Sequence, residues 1–137
     1  MADFSFEADD LESLRIGEET ERRALAALMD TMTSPDKPFW LLGARKGSLR
    51  DDMDLKTDIW LNTPFGEIPL QIKSSPWGVR KFNKLYAAMF PKVIPVAILL
   101  NYTPSDIIDV IGLRLQQKDR RFRHPPPESR LDLEWNA

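Results

Sequence analysis

The sequence predicts an α/β fold, a small mixed β-sheet flanked by helices. Helix-like and strand-like periodicities alternate along the chain. Two adjacent strand-like stretches are joined by a turn, and an apolar run of strand length, 93–101, follows a helix-like stretch. The 137 residues suit one domain. The reading divides them into a loose acidic N-terminus (1–12), a single folded unit (13–117) and a basic, Pro-rich tail (118–137).

A first helix is expected to start at Ser13 or Gly17. Glu18, Glu19 and Glu21 crowd its first turns, where carboxylates favour the helix dipole. Leu14, Leu25, Leu28 and Met32 recur at helical spacing, and Glu18 and Glu21 fall on the same stripe. TSPDKP (33–38) ends the helix, 39–42 reads as a short strand, 43–47 as a turn and 48–56 as a polar, acidic connection. Residues 57–62 read as a strand, TPFG (63–66) as a turn and 67–73 as the return strand. SSPWG (74–78) is a loop. Residues 79–90 form a helix with Val79, Phe82, Leu85, Tyr86 and Met89 on one stripe, ended by Pro91. The strand 93–101 follows. A last helix is capped by Ser105, with Ile107, Ile108, Ile111 and Leu115 on its apolar side. The tail is extended to 130, and 130–135 alternates like a strand. The order is αβββαβ with a closing helix, so consecutive strands make hairpins and the later helix crosses over to the last strand.

Composition excludes several chemistries. With no cysteine there is no disulfide, zinc–thiolate site or cysteine nucleophile. The single histidine, His124, lies in the Pro-rich tail, which argues against a histidine-based triad. No apolar run approaches the roughly 20 residues of a bilayer span. The acidic N-terminus lacks the basic start of a signal peptide, so a cytoplasmic location and no membrane partner are expected. The net charge of −2 is unevenly spread: residues 1–70 carry −7 and residues 71–137 carry +5. Either the two halves pair with each other, or a basic surface stands beside an acidic one.

The hairpin carries the chemistry. With TPFG as a four-residue loop, Asn62 pairs with Glu67, Trp60 with Pro69 and Asp58 with Gln71. Opposed Cβ atoms stand about 4.5–5.5 Å apart, and Lys73 is a diagonal neighbour of Asp58 at about 7–8 Å. One face then carries a carboxylate, a carboxamide and an ammonium. The other carries Ile59, Leu61, Ile68, Leu70 and Ile72 and belongs to the core. Asp58, Gln71 and the Ile72 carbonyl offer the oxygen ligands that a hard divalent cation takes, and Lys73 could position or deprotonate a water. The plain alternative is an exposed Asp58–Lys73 ion pair.

The stretch D-I-W-L-N-T-P-F-G-E-I-P-L-Q-I-K-S (58–74) resembles the core signature of the PD-(D/E)xK nuclease superfamily, in which an Asp on one strand precedes (D/E)-x-K on the next. Its spacing is similar to that of archaeal Holliday-junction resolvases, and its Q-x-K form resembles Mrr-type restriction endonucleases. G-E-E-T-E-R-R-A-L-A-A-L (17–28) is similar to the first resolvase helix, and by that match Glu21 is the helix carboxylate that reaches the metal site. The resemblance covers 17–73 by motif and extends to about 101 by element order.

It implies a restriction-endonuclease-like core and a metal-dependent phosphodiesterase acting on DNA. Mg²⁺ or Mn²⁺ would be held by Asp58, Gln71, Ile72 and Glu21, with Lys73 on the attacking water. The runner-up is a non-catalytic member of the same fold that binds nucleic acid or protein. Gln71 removes one charge from the usual ligand set, leaving Asp51, Asp52 or Asp54 to compensate. Glu67 is about 13 Å from Gln71 along the strand, too far for the same ion. Pro69 suits an edge or a bulge better than a central strand.

Arg80, Lys81 and Lys84 are candidates for holding phosphates, against an ordinary solvated helix face. Arg120, Arg121, Arg123 and His124 are a second basic run. Trp77 is the best placed of four tryptophans for base stacking. Leu131, Leu133 and Trp135 suit a contact in a homodimer, which would supply the two sites that cutting two strands takes.

Overall fold

A computed structural model describes residues 2–123, with side chains from residue 11 onward. The structure is α/β, built from helix α1 (Ala2–Thr31), strand β1 (Gly43–Lys46), helix α2 (Leu49–Leu55), strands β2 (Ile59–Thr63) and β3 (Gly66–Lys73), helix α3 (Pro76–Tyr86), strand β4 (Ile94–Ala97), helix α4 (Pro104–Lys118) and a short 3₁₀ turn (Arg120–Arg123). The four strands form one mixed sheet in the order β1-β2-β3-β4, antiparallel except for the parallel β3–β4 pair. No helix among the described residues is long and apolar enough to cross a membrane.

The hairpin register is the one that alternation dictates. Trp60 pairs with Pro69 and Asn62 with Glu67. The ladder runs on to Thr63↔Gly66, so the loop is Pro64-Phe65 alone rather than four residues. Gly66 carries the positive φ (109°) that lets the return strand start at once. Pro69 lies in an inner strand, not at an edge. It stands one residue before the β3–β4 ladder begins at Leu70↔Ile94, so the N–H it lacks has no strand partner to lose.

The apolar faces of β2, β3 and β4 (Ile59, Leu61, Leu70, Ile72, Ile94 and Val96) close against Ala24, Ala27 and Leu28 of α1 and Ile107, Ile111 and Leu115 of α4. This is one buried core, and burial of such side chains contributes roughly 1.5–3 kcal/mol each. Arg23 fastens α1 to the start of α4 by donating to the Leu99 and Tyr102 carbonyls. Helix α3 lies against β3 and β4 from the side of Lys73, with Phe82 buried beneath it.

Several boundaries differ from the sequence reading. Helix α1 begins at Ala2, through the stretch read as loose, and Ser13 and Gly17 lie inside it. The first strand is Gly43–Lys46, not 39–42, because Phe39 and Trp40 form a turn that sinks Trp40 and Leu41 into the core. The connection 48–56 contains α2, nucleated by a reciprocal cap: the Ser48 hydroxyl accepts from the Asp51 N–H and the Asp51 carboxylate accepts from the Ser48 N–H. Helix α3 starts at Pro76 with Ser75 as its cap, so Trp77 lies in its first turn rather than in a loop. It ends at Tyr86, which leaves Met89 outside it and 68% exposed; Leu85 also faces solvent. Thr103, not Ser105, caps α4, through the same reciprocal bond with Asp106. Leu14 is 64% exposed and belongs to no core stripe. The ion pairs seen are Glu19–Arg22, Arg45–Glu67, Arg50–Asp54 and Asp119–Arg121, each within one half of the chain. His124, the 130–135 strand and the proposed contact of Leu131, Leu133 and Trp135 lie outside the described residues.

Gly47, just past β1, stands hard against the backbone that leads into β2. Its N–H donates to the Asp58 carbonyl at 2.7 Å, and a Cβ there would stand 2.5 Å from the Thr57 carbonyl oxygen. A backbone carbonyl cannot swing aside, so Gly47→Ala is expected to destabilise the domain by about 1–3 kcal/mol, read by urea denaturation. An unchanged midpoint would mean that this approach is not obligatory.

Candidate functional site

The site forms where α2 hands the chain to β2. Lys56 adopts a left-handed conformation (φ 52°) at the end of α2, uncommon for a residue with a side chain, and turns the backbone into the sheet. Thr57 follows fully buried, and then Asp58, 3% exposed. The β2–β3 ladder stops at Ile59↔Leu70, and Asp58 finishes the edge by other means. Its N–H donates to the Leu70 carbonyl at 2.9 Å, and its Oδ2 accepts the Ile72 N–H at 2.7 Å. The carboxyl therefore takes the place of a strand carbonyl. That bond leaves Oδ1 buried and without a hydrogen-bond partner.

Three carboxyls meet here. Glu21 of α1 and Asp52 of α2 line the same cleft as Asp58 and stand close enough to act on its ionisation, although no hydrogen bond joins the three carboxyls. The stripe that put a glutamate among leucines thus delivers it to a polar destination. Of the three acids in α2, Asp52 is the one that reaches the cluster. Asp51 is engaged elsewhere, accepting from the Ser48 N–H and the Trp60 indole; these bonds, the backbone one first, hold its carboxyl below the usual range. Burial pushes Asp58 up to about 9, assisted by Asp52 and Glu21 and opposed by the Ile72 N–H. Burial also raises Glu21, while Asp58 and the nearby Lys46 charge act to lower it.

Gln71 is buried (8% exposed), with its Oε1 lacking a partner. Lys73 does not pair with Asp58. Its ammonium lies over the Phe82 ring, 5.8 Å from the centroid, and its stem runs against Gly78. The ion pair on this side of the hairpin is Arg45–Glu67 at 3.1 Å, with Arg45 stacked over Trp60. A cleft of about 750 Å³ opens onto the acids between α1 and α2. Glu21, Asp52, Asp58 and Lys46 line it, together with apolar walls from Leu14, Leu25, Leu49 and Ile59. Gln71, Lys73, Arg80, Lys81 and Lys84 do not. Arg80, Lys81 and Lys84 stand exposed on α3, and Lys81 lies over the Trp77 ring.

The donor set suits a hard cation: carboxyl oxygens from three elements, and two buried acceptor oxygens with nothing to accept from. Asp58, Glu21 and Asp52 would hold it from the cleft, which Gln71 does not line. Among the described residues, no group of three or more acid or histidine side chains is arranged to hold a metal ion by itself. Asp52 was one of three acids the sequence offered. Lys46 was missed, hidden by reading 43–47 as a turn. The capping pattern S-L-R-D (48–51) is the signal that places a helix just after it.

Compared with protein-family models, with curated proteins and with solved structures, the chain gives no match.

Asp58 has a folded pKa above its unfolded one. Its contribution to stability is fully present below the ordinary carboxyl range near 3.8 and is lost as pH rises through about 9. Asp58→Asn, which cannot ionise, should therefore gain on the native chain steadily between pH 5 and 9 in thermal melts. At pH 8 it should melt at least about 3 °C higher, the effect of roughly 1 kcal/mol in a domain of this size. A constant offset across that range would show that Asp58 ionises normally.

Proposed function

We propose that this chain is a metal-dependent phosphodiesterase acting on DNA, built on a restriction-endonuclease-like core of the PD-(D/E)xK type. The observation that carries the reading is that Glu21 and Asp58, from elements far apart in sequence, line one cleft where a buried Asp58 oxygen is left without a hydrogen-bond partner. Three acids crowded together with one raised to about 9 are costly to the fold, and functional sites are where such costs are kept. The element order and the observed hairpin register agree with the same core.

Bound Mg²⁺ or Mn²⁺ would supply charge neutralisation at the phosphate and an acidified water. Asp58 is the fixed ligand of the set, because the Ile72 N–H holds one of its oxygens and aims the other. Glu21 and Asp52, each on a separate helix, adjust around it. The Ile72 carbonyl, on the residue that anchors Asp58, and the Gln71 amide oxygen are the further ligands of this reading. Lys73, next along β3, would turn from the Phe82 ring to hold or take a proton from the attacking water. The exposed Arg80, Lys81 and Lys84 are placed to meet flanking phosphates outside the cleft.

The second reading is a non-catalytic member of the fold that binds nucleic acid or protein. Gln71 in place of an acid, and the open arrangement of the three carboxyls, favour it. Two measurements separate the readings. Calorimetric titration should show Mn²⁺ binding that Asp58→Ala abolishes. Plasmid, branched DNA and RNA incubated with Mg²⁺ or Mn²⁺ should be cut by the native chain, and Asp58→Ala should lower the rate at least a hundredfold. Ion binding without cleavage supports the binding module, and cleavage that survives Asp58→Ala rules out this site.

A further inference from the structure

Resting on the phosphodiesterase reading, we infer that Lys46 is the side chain that receives the substrate's scissile phosphate, a role that neither Lys73, assigned to the attacking water, nor the exposed cations of α3 are placed to take. Lys46 ends β1 and pairs with Ile59, the residue after Asp58. Paired residues on neighbouring strands stand about 4.5–5.5 Å apart at Cα, so the lysine stem starts beside the acid cluster. Lys46 is exposed, lines the cleft with Glu21, Asp52 and Asp58, and lies near enough to Glu21 for its charge to favour the carboxylate. Lys73 has none of these properties. It lies outside the cleft, over the Phe82 ring.

The charge balance of the cleft calls for such a residue. Its wall carries Glu18, Glu19, Glu21, Asp52 and Asp58, against Arg15, Arg22 and Lys46. Arg22 is already paired with Glu19. A phosphodiester entering this field meets net negative charge until a cation faces it, and a bound divalent ion answers only the charge beside the three acids. Lys46 is the cation with a free stem on the sheet side of the same opening. The phosphate then comes in between α1 and α2, and the basic face of α3 is left to more distant parts of the chain.

The test uses a fluorescein-labelled DNA oligonucleotide in Mn²⁺, with affinity read by anisotropy over a range of salt. Lys46→Ala should weaken binding at least fivefold and flatten the salt dependence by about one phosphate contact, with Lys46→Arg recovering most of the loss. Lys118→Ala removes the same charge from the end of α4 and should change affinity less than twofold. Lys46→Ala should still bind Mn²⁺, as a collapsed site would not; loss of the ion in this variant would mean that Lys46 acts on the acids and not on the phosphate, and would overturn the assignment. If Lys46→Ala binds the oligonucleotide like Lys118→Ala while the native chain holds Mn²⁺, the assignment to Lys46 fails alone. If the native chain holds no Mn²⁺, the phosphodiesterase reading fails and takes this inference with it.

Discussion

The bond from the Ile72 N–H to Asp58 Oδ2 is the constraint on which the site depends. In an ordinary hairpin a backbone carbonyl would accept that N–H. Here the 2.7 Å bond to a side chain fastens the last turn of the ladder and at the same time fixes where the carboxyl stands. One oxygen is spent on the fold, and the other is left buried with no donor. An unsatisfied buried acceptor costs about 1–3 kcal/mol. The surroundings are built to impose it: Lys56 in a left-handed conformation, Gly47 pressed on the Thr57 and Asp58 carbonyls, and a short capped helix just ahead. The hairpin cannot relax this arrangement without losing its own edge.

Much of this was legible in the letters. Alternation from Ile59 to Lys73 fixed the hairpin register, because a slip by one would expose five aliphatic side chains. Glu21 was legible because a charged residue on an apolar stripe needs a partner. The short elements were not. Strand β1 has four residues and α2 seven, too few for any periodicity to declare itself, and only the cap pattern at Ser48 announces α2. The orientation of Lys73 was beyond reach for another reason. Alternation tells which side of a strand a residue takes, and not that α3 will bring Phe82 under that side. Leu14 shows the converse, a residue in phase with the stripe at a level of the helix where the core no longer lies beneath it.

The polarity of the chain also takes on meaning. The acidic first half and the basic second half do not neutralise one another through the ion pairs seen, all of which close within one half. Acids gather where α1 and α2 frame the end of β2, and the lysines and arginine of α3 stand exposed elsewhere. Such separation maintains a field across the surface instead of cancelling it.

Helix α1 has one further consequence. Its latter half is gripped by the sheet and by α4, through Ala24, Ala27, Leu28 and the clasp of Arg23. The turns before Gly17 run past that grip, with Leu11, Leu14 and Ile16 turned to solvent. Among the described side chains, the part of this wall before Gly17 is held from its C-terminal side, and the gap it bounds is set there by the stiffness of the helix. Glu21 stands beside that hold, where a tilt of the helix moves it least.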